Sequence, residues 1–198
     1  MSFRFLPTLM FFAACSYSEA GPTAHVGESA PAFSLSDLDG NTVTLNDLRG
    51  KTVVLEWFNP GCPFVVSAHE DGPLQSMAQQ AAADGITWLA INSSAAGKQG
   101  HGSDVNREAA KKWKMEHPIL LDANGKVGRQ YGAVTTPQMF IIDAAGTLQY
   151  AGALDNAPRG QVPASGLVNH VKNGLRDLAE GTPVKTARSK PYGCSVKY

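Results

Sequence analysis

The chain has 198 residues, of which 43% are hydrophobic, and this is enough to form one well-packed domain. Its 17 lysines and arginines balance 17 aspartates and glutamates, so no net charge attracts nucleic acid and no basic cluster predicts a polyanion site. We therefore expect no binding of nucleic acid.

The first twenty residues differ in character from the rest of the chain. Arg4 precedes an apolar stretch from Phe5 to Cys15, and small residues follow as far as Ala20. This order predicts a signal peptide over residues 1–20, too short to span a membrane, and therefore an exported, periplasmic protein. The segment ending in Cys15 also resembles a bacterial lipoprotein processing site, so the protein is predicted to be either free or anchored by a lipid on Cys15.

After the signal, apolar runs alternate with helical stretches. Asp39-Gly40 predicts a hairpin turn before the alternating run Thr42–Leu45. The run Thr52–Phe58 is almost entirely apolar and rich in β-branched residues, which predicts a central strand covered on both faces. A helix from Pro63 to Ala83 follows, and Gly72-Pro73 must kink or split it.

Strands and helices then alternate to the predicted domain boundary at residue 182. The other predicted strands are an edge segment at Pro31–Leu35, then Ile86–Ile91, Ile119–Leu121, Gln138–Ile142 and Leu148–Ala151. The other predicted helical segments are Asn46–Gly50, Asp104–Trp113, Lys126–Tyr131 and Ser165–Ala179, the last with an apolar stripe of Leu167, Val168, Val171, Leu175 and Leu178. This order predicts a three-layer α/β fold over residues 21–182, with a mixed central sheet flanked by helices, followed by a tail over residues 183–198.

Cys62 is the residue best placed for chemistry. It follows the predicted central strand through the turn Asn59-Pro60-Gly61, and it precedes Pro63, a residue type favoured at the first position of a helix. The sulfur should therefore lie at a helix N-terminus, where the helix dipole stabilises a thiolate. A thiolate at neutral pH attacks disulfides or peroxides, so the sequence predicts a reactive cysteine.

Removal of the signal peptide leaves two cysteines, Cys62 and Cys194, which allow one intramolecular pair. In an oxidising compartment such a pair can be a static staple that ties the tail Lys190–Tyr198 to the body. It can also be a redox-active pair. The second interpretation is favoured, because a staple has no need of a strand-to-helix turn at one end.

Three features together resemble the thioredoxin-like superfamily, specifically the redoxin branch that also holds alkyl hydroperoxide reductase and thiol-specific antioxidant proteins. They are Cys62 after the central strand, Glu56 within that strand, and Thr136-Pro137 directly before another apolar strand. The similar segments are Gly27–Leu35, Leu48–Leu55, Gly61–Phe64 and Val134–Pro137, within a resemblance that covers about Val26 to Gly152. Exported bacterial thioredoxin-family proteins with the ending Pro-Tyr-Gly-Cys-Ser-Val-Lys-Tyr resemble the chain most.

The resemblance implies roles for both cysteines. Cys62 matches the attacking cysteine of the family's C-x-x-C motif, and Val65 stands where the second, resolving cysteine usually does. Cys194 is then the internal candidate for resolving a mixed disulfide, and the tail would have to fold back over the helix N-terminus.

The resemblance also implies roles for three residues away from the cysteines. Pro137 matches the family's cis-proline, and the backbone of Thr136 before it would run beside the sulfur and pair with a bound peptide. Glu56 matches the buried acid that moves protons for the cysteines. Its pKa is expected to be raised, because burial disfavours the charged form.

The implied activity is thiol-disulfide exchange on protein disulfides, with an external thiol as reductant and no cofactor or metal. One alternative is a thiol-dependent, peroxiredoxin-like antioxidant peroxidase with Cys62 peroxidatic and Cys194 resolving. Peroxiredoxins, however, carry Thr or Ser where this chain has Asn59, and an Arg near the strand that here begins with Pro137-Gln138. A further alternative is a copper-binding assembly protein that uses both cysteines and a histidine.

Two weaker signals lie near the predicted site. His69 is about two helical turns after Cys62 and would share the sulfur's face of a continuous helix, although a structural role is the simpler interpretation. The polar loop Ser93–Ser103 is long, which is typical of functional or mobile connections, and it is expected to shape the substrate site through Gln99 or His101.

Overall fold

The computed structural model describes residues 24–198. The predicted signal peptide over residues 1–20, and Cys15 as a lipidation site, lie outside the described residues. Within residues 24–198, no helix is both long enough and apolar enough to cross a membrane.

Strands and helices alternate along the described part of the chain. The strands are β1 (Ser34–Asp37), β2 (Thr42–Thr44), β3 (Val53–Trp57), β4 (Thr87–Asn92), β5 (Ile119–Leu121), β6 (Thr135–Thr136), β7 (Gln138–Ile142), β8 (Leu148–Gly152) and β9 (Cys194–Ser195). The α-helices are α1 (Pro63–Glu70), α2 (Leu74–Ala83), α3 (Ser103–Lys112), α4 (Lys126–Tyr131) and α5 (His170–Ala179). Short 3-10 turns lie at Leu45–Leu48 and Pro158–Gly160.

Seven strands form one mixed sheet in the order β2-β1-β5-β4-β3-β7-β8, while β6 and β9 form a separate two-stranded sheet. Strand β3 is central, parallel to β4 and antiparallel to β7, and all of its residues are buried. The prediction of a covered central strand is confirmed. The prediction of an edge segment at Pro31–Leu35 is wrong, because β1 starts at Ser34 and pairs with both β2 and β5, which leaves β2 at the edge.

Successive residues of β3 face opposite layers, as the pleat of a strand requires. Trp57 packs on one face with Tyr131 of α4, at a ring-centroid distance of 5.5 Å. Val54 packs on the other face with Leu74 of α2 and Val171 of α5. The sheet is therefore covered on both sides, and the predicted three-layer α/β fold is confirmed.

The helix predicted from Pro63 to Ala83 is split into α1 and α2 by Gly72-Pro73. A proline has no N–H to continue the helix. A Cβ atom on Gly72 would lie 2.7 Å from the carbonyl oxygen of Ala68, so the backbone approaches there more closely than a side chain permits. The predicted break is confirmed.

The start predicted for the last helix is wrong, because α5 begins at His170 and not at Ser165. The Asn169 side chain accepts a hydrogen bond from the backbone N–H of Lys172 at 2.8 Å, which satisfies a free donor of the first turn and fixes the helix start. Leu167 is 58% exposed and Val168 is 39% exposed, so neither belongs to a buried stripe.

We predict that the same truncation has a large effect on stability at one leucine and almost none at another. Leu74→Ala should lower the free energy of unfolding by about 2 to 5 kcal/mol, because it leaves a cavity between α2 and the sheet. Leu167→Ala should change it by less than about 0.5 kcal/mol, because that side chain is mostly in solvent. Urea unfolding of both variants tests this, and equal losses would contradict the corrected start of α5.

Candidate active site

Cys62 lies at the N-cap position of α1, with Pro63 as the first helical residue. The backbone N–H of Val65 points towards the sulfur and stabilises its ionised form. The structure therefore places the sulfur at the helix N-terminus, where the sequence predicted it. A reactive cysteine is expected to be accessible to its substrate. In the structure, however, Cys62 is 0% exposed, so the sulfur is closed to solvent.

The C-terminal tail covers this sulfur. Strand β9 pairs antiparallel with β6, and Cys194 lies opposite Thr136. The Thr136-Pro137 bond is cis, and the Thr136 carbonyl oxygen accepts a hydrogen bond from the Cys62 Sγ–H at 3.0 Å. Both cysteines, Thr136 and Pro137 are thus brought together at one point of the backbone. The two sulfurs are not bonded to each other in this structure.

The contact between the two thiols moves their pKa values in opposite directions. Burial raises the pKa of Cys62, but hydrogen bonds from Cys194, Thr136 and the Val65 N–H together lower it below its ordinary value. The Thr136 hydroxyl is buried without a hydrogen-bond partner among the described residues, which leaves it available to the ionised sulfur. Burial, the hydrogen bond to Cys62 and the charge of Cys62 raise the pKa of Cys194 to about 11. Cys62 therefore ionises first, beside a thiol that remains protonated.

Glu56 is fully buried in β3, but its pKa is not raised as predicted. Burial raises the pKa of this carboxyl, yet the charge and hydrogen bond of His69 outweigh that effect and hold it below its usual value. The Glu56 Oε1 and His69 Nε2 atoms are 2.8 Å apart, and Oε2 accepts a hydrogen bond from the Trp88 indole at 3.2 Å. Within the described residues, no hydrogen bond joins Glu56 to Cys62.

His69 is the residue of the site that sequence reasoning missed as a partner of Glu56. It is 2% exposed in α1, and its ring stacks on Trp113 with centroids 4.9 Å apart and planes 13° from parallel. The edge of Phe58, the residue after β3, also packs against it at 5.7 Å. A buried glutamate needs a partner, and a histidine on the sulfur's side of α1 was the available signal.

The predicted loop Ser93–Ser103 contacts the turn before Cys62. Its Gln99 carbonyl accepts a hydrogen bond from the Asn59 amide at 3.1 Å, and a Cβ atom on Gly61 would lie 2.7 Å from the Gln99 side chain. His101 instead lies 2.9 Å from the Ser94 carbonyl oxygen of its own loop. Of the two residues expected to shape the site, only Gln99 borders the cysteine turn through these contacts.

The residues that replace the peroxiredoxin groups have structural hydrogen bonds. The Asn59 Oδ1 atom accepts from the Gly61 N–H at 2.9 Å, which holds the turn before the cysteine. The Gln138 Oε1 atom accepts from the N–H groups of Val134 and Thr135, at 2.9 and 3.3 Å. Neither group is therefore free to orient a peroxide.

The copper alternative lacks its ligand set in the part of the chain that the structure describes. No group of three or more His, Cys, Asp or Glu side chains there is arranged to hold a metal ion.

Comparisons with known proteins place these features in context. The family model described as Redoxin matches residues 25–166. Thiol-disulfide oxidoreductase ResA of Geobacillus thermodenitrificans is 30% identical over 125 residues, which cover 63% of this chain and 67% of that protein. The chloroplastic peroxiredoxin Q of Triticum aestivum is 30% identical over 135 residues, which cover 63% of this chain and 57% of that protein.

A solved structure matches over a larger part of the chain. It is that of an uncharacterized conserved protein from Geobacillus kaustophilus, with a TM-score of 0.78 and 29% sequence identity. The match covers 88% of this chain and 92% of that chain. The similarity therefore extends beyond the residues that the family model matches.

We predict that Glu56→Gln lowers the free energy of unfolding at pH 7 by about 1 to 3 kcal/mol, because the buried bond to His69 loses its charge. The folded-state pKa of Glu56 lies below its ordinary value of 4.5, so its contribution to stability is present above that pH and is lost as the pH falls through the folded-state pKa. The difference between the two proteins should therefore shrink on acidification, as measured by urea unfolding at several pH values.

Glu180→Gln, at an exposed residue that follows α5, is the matched control and should leave the pH profile unchanged. A difference between the wild type and Glu56→Gln that grows as the pH falls would mean that the carboxyl is neutral in the folded protein. That result would contradict an ionised Glu56 carboxylate in the folded protein.

Proposed function

The chain belongs to the redoxin family of thioredoxin-like proteins, and we propose that it is a thiol-disulfide oxidoreductase with Cys62 as the attacking thiolate. One observation carries the proposal: the pairing of Thr136 with Cys194 places a second thiol against the sulfur at the N-terminus of α1. The named activity of the ResA relative is in agreement.

In the first step, the Cys62 thiolate attacks one sulfur of a partner disulfide. A bond forms between Cys62 and that sulfur, and the other partner sulfur leaves as a thiolate that takes a proton from solvent. The backbone of Thr136, next to the cis peptide bond with Pro137, is the edge at which the partner chain pairs.

In the second step, Cys194 resolves the mixed disulfide. The charge of Cys62 is one of the causes that hold the pKa of Cys194 at about 11. Formation of the mixed disulfide removes that charge, so the pKa of Cys194 falls and its thiolate forms more readily. The thiolate attacks the Cys62 sulfur, the partner leaves with both of its cysteines reduced, and an external dithiol returns two electrons to the Cys62–Cys194 disulfide.

In this proposal Glu56 does not move protons for the cysteines, the role expected for a buried acid. Its carboxylate is ionised and is bonded to His69 and Trp88. We assign it the positioning of α1 through His69 and not the transfer of protons.

A second candidate function is peroxide reduction, and the enclosure of Cys62 favours it. A peroxide is small enough to reach a sulfur that a protein disulfide cannot, and a peroxiredoxin Q is among the relatives. Cys62 would form a sulfenic acid and release an alcohol or water, and Cys194 would then form the disulfide and release water. The structural hydrogen bonds of Asn59 and Gln138 make this the weaker candidate.

We also propose that the protein acts outside the cytoplasm, where disulfides persist. This rests on the signal-peptide pattern of residues 1–20, and the lipid on Cys15 stays a prediction from the same segment. We further propose a division into a domain over residues 21–182 and a tail over residues 183–198, and the return of the tail to the body at β9 is consistent with it.

We predict that Cys194→Ala, in the protein without residues 1–20, traps a mixed disulfide with insulin at a level roughly tenfold above the wild type, because the resolving thiol is absent. Cys62→Ala is the matched control and should trap none. Non-reducing electrophoresis and peptide mapping measure the adduct.

The same variant distinguishes the two candidate functions. Hydrogen peroxide should leave Cys62 of Cys194→Ala mostly without a dimedone adduct over the time in which insulin is trapped. Rapid dimedone labelling of Cys62 with no insulin adduct would favour the peroxidase and overturn the first candidate.

A further inference from the structure

The sulfur that must attack a partner has no exposed surface while the tail is docked. Strand β9 lies on β6, and Cys194 packs in the cluster that contains Cys62. The tail also occupies the Thr136 edge to which a partner chain would bind. A protein disulfide therefore cannot reach Cys62 until this segment moves.

Resting on the proposed function, we propose that Lys190–Tyr198 is a strap that closes the site in the resting protein and releases from its C-terminal end to admit a partner. The strap competes with the partner chain for the same backbone groups of β6. When the strap returns, it places Cys194 beside the mixed disulfide and displaces the partner chain from β6. Closure of the strap therefore accompanies both resolution of the disulfide and release of the partner.

The chain before the strap is firmly held. The Ser189 hydroxyl accepts a hydrogen bond from the Ala153 N–H at 2.9 Å and lies 2.6 Å from the Tyr150 hydroxyl. At the start of the strap, the Tyr192 hydroxyl donates to Asp155 at 2.5 Å, and the Tyr192 ring packs near Phe64, with ring centroids 6.1 Å apart. This part remains attached when the end of the chain releases.

The end of the strap is held by hydrogen bonds and by the partly buried side chains of Val196 and Tyr198. The Val196 N–H donates to the Val134 carbonyl oxygen at 3.1 Å, and the Lys197 carbonyl oxygen accepts from the Ala95 N–H at 2.7 Å. The Tyr198 hydroxyl donates to the Ala133 carbonyl oxygen at 2.7 Å. The Arg129 guanidinium lies 4.4 Å from the centre of the Tyr198 ring. Losing these contacts frees β9, which pairs with β6 and makes no backbone pairing with the seven-stranded sheet.

Gly193 lies between the two parts and is the hinge of the strap. Its φ of +138° belongs to a region that other residues rarely adopt. A Cβ atom there would overlap the carbonyl oxygen of Thr136, so only glycine lets the strap lie this close to β6. Gly193→Ala must therefore lift the strap from the edge beside Cys62.

The test is the rate at which iodoacetamide alkylates Cys62 in the folded protein without residues 1–20, measured by peptide mapping from neutral to alkaline pH. Gly193→Ala should raise the limiting alkylation rate at high pH at least about tenfold. This corresponds to a loss of about 1.4 kcal/mol in the free energy of closing the strap. Gly181→Ala is the control, because that glycine also has a positive φ but a Cβ atom there meets nothing within 4 Å.

Tyr198→Ala is the second variant, and it loosens the end of the strap without altering the hinge. It should also raise the limiting rate, by several-fold, with circular dichroism confirming that both variants are folded. The proposal that the strap closes the site is wrong if the wild type already reacts as fast as the unfolded chain. It is also wrong if neither variant reacts faster than the wild type. Alkylation needs no partner protein, so it tests the strap separately from the proposed function. Faster alkylation of the variants would support the strap even if the wild type does not reduce insulin, and the absence of insulin reduction would overturn the proposed function.

Discussion

The backbone pairing of Thr136 with Cys194 is the interaction on which the site depends. It brings a cysteine from the end of the chain to the N-terminus of α1, where the sulfur of Cys62 already has the Val65 N–H and the Thr136 hydroxyl beside it. Without the pairing, Cys62 would lose both the thiol that favours its ionisation and the cover that hides it from solvent. Reactivity and protection thus come from the same contact.

The contact between the two cysteines also makes their pKa values differ. A charge on the first sulfur opposes a charge on the second, so Cys62, whose pKa is lowered by hydrogen bonds from Cys194, Thr136 and the Val65 N–H, is the first of the two to ionise. Once the first sulfur is covalently bonded to a partner, that opposition ends. In the proposed reaction, the electrostatics of the pair therefore favour attack by Cys62 before attack by Cys194.

Local patterns predicted the fold and much of the site. The strand, turn and proline around Cys62 are encoded within a few residues, and the position of Thr136-Pro137 followed from the family resemblance. The partners that set finer properties could not be predicted in this way. The pKa of Glu56 is set by His69, and the start of α5 is set by the Asn169 cap. The tail was expected to fold back over the helix N-terminus, but its complete enclosure of Cys62 was not expected.

The redox pairing of Cys62 with Cys194 is measured most directly by titrating the protein without residues 1–20 against glutathione redox buffers, with peptide mapping at each potential. We expect one two-electron transition in which the peptides of Cys62 and Cys194 become joined within a single chain. Two independent thiols, each forming only a mixed disulfide with glutathione and never joined to each other, would contradict it.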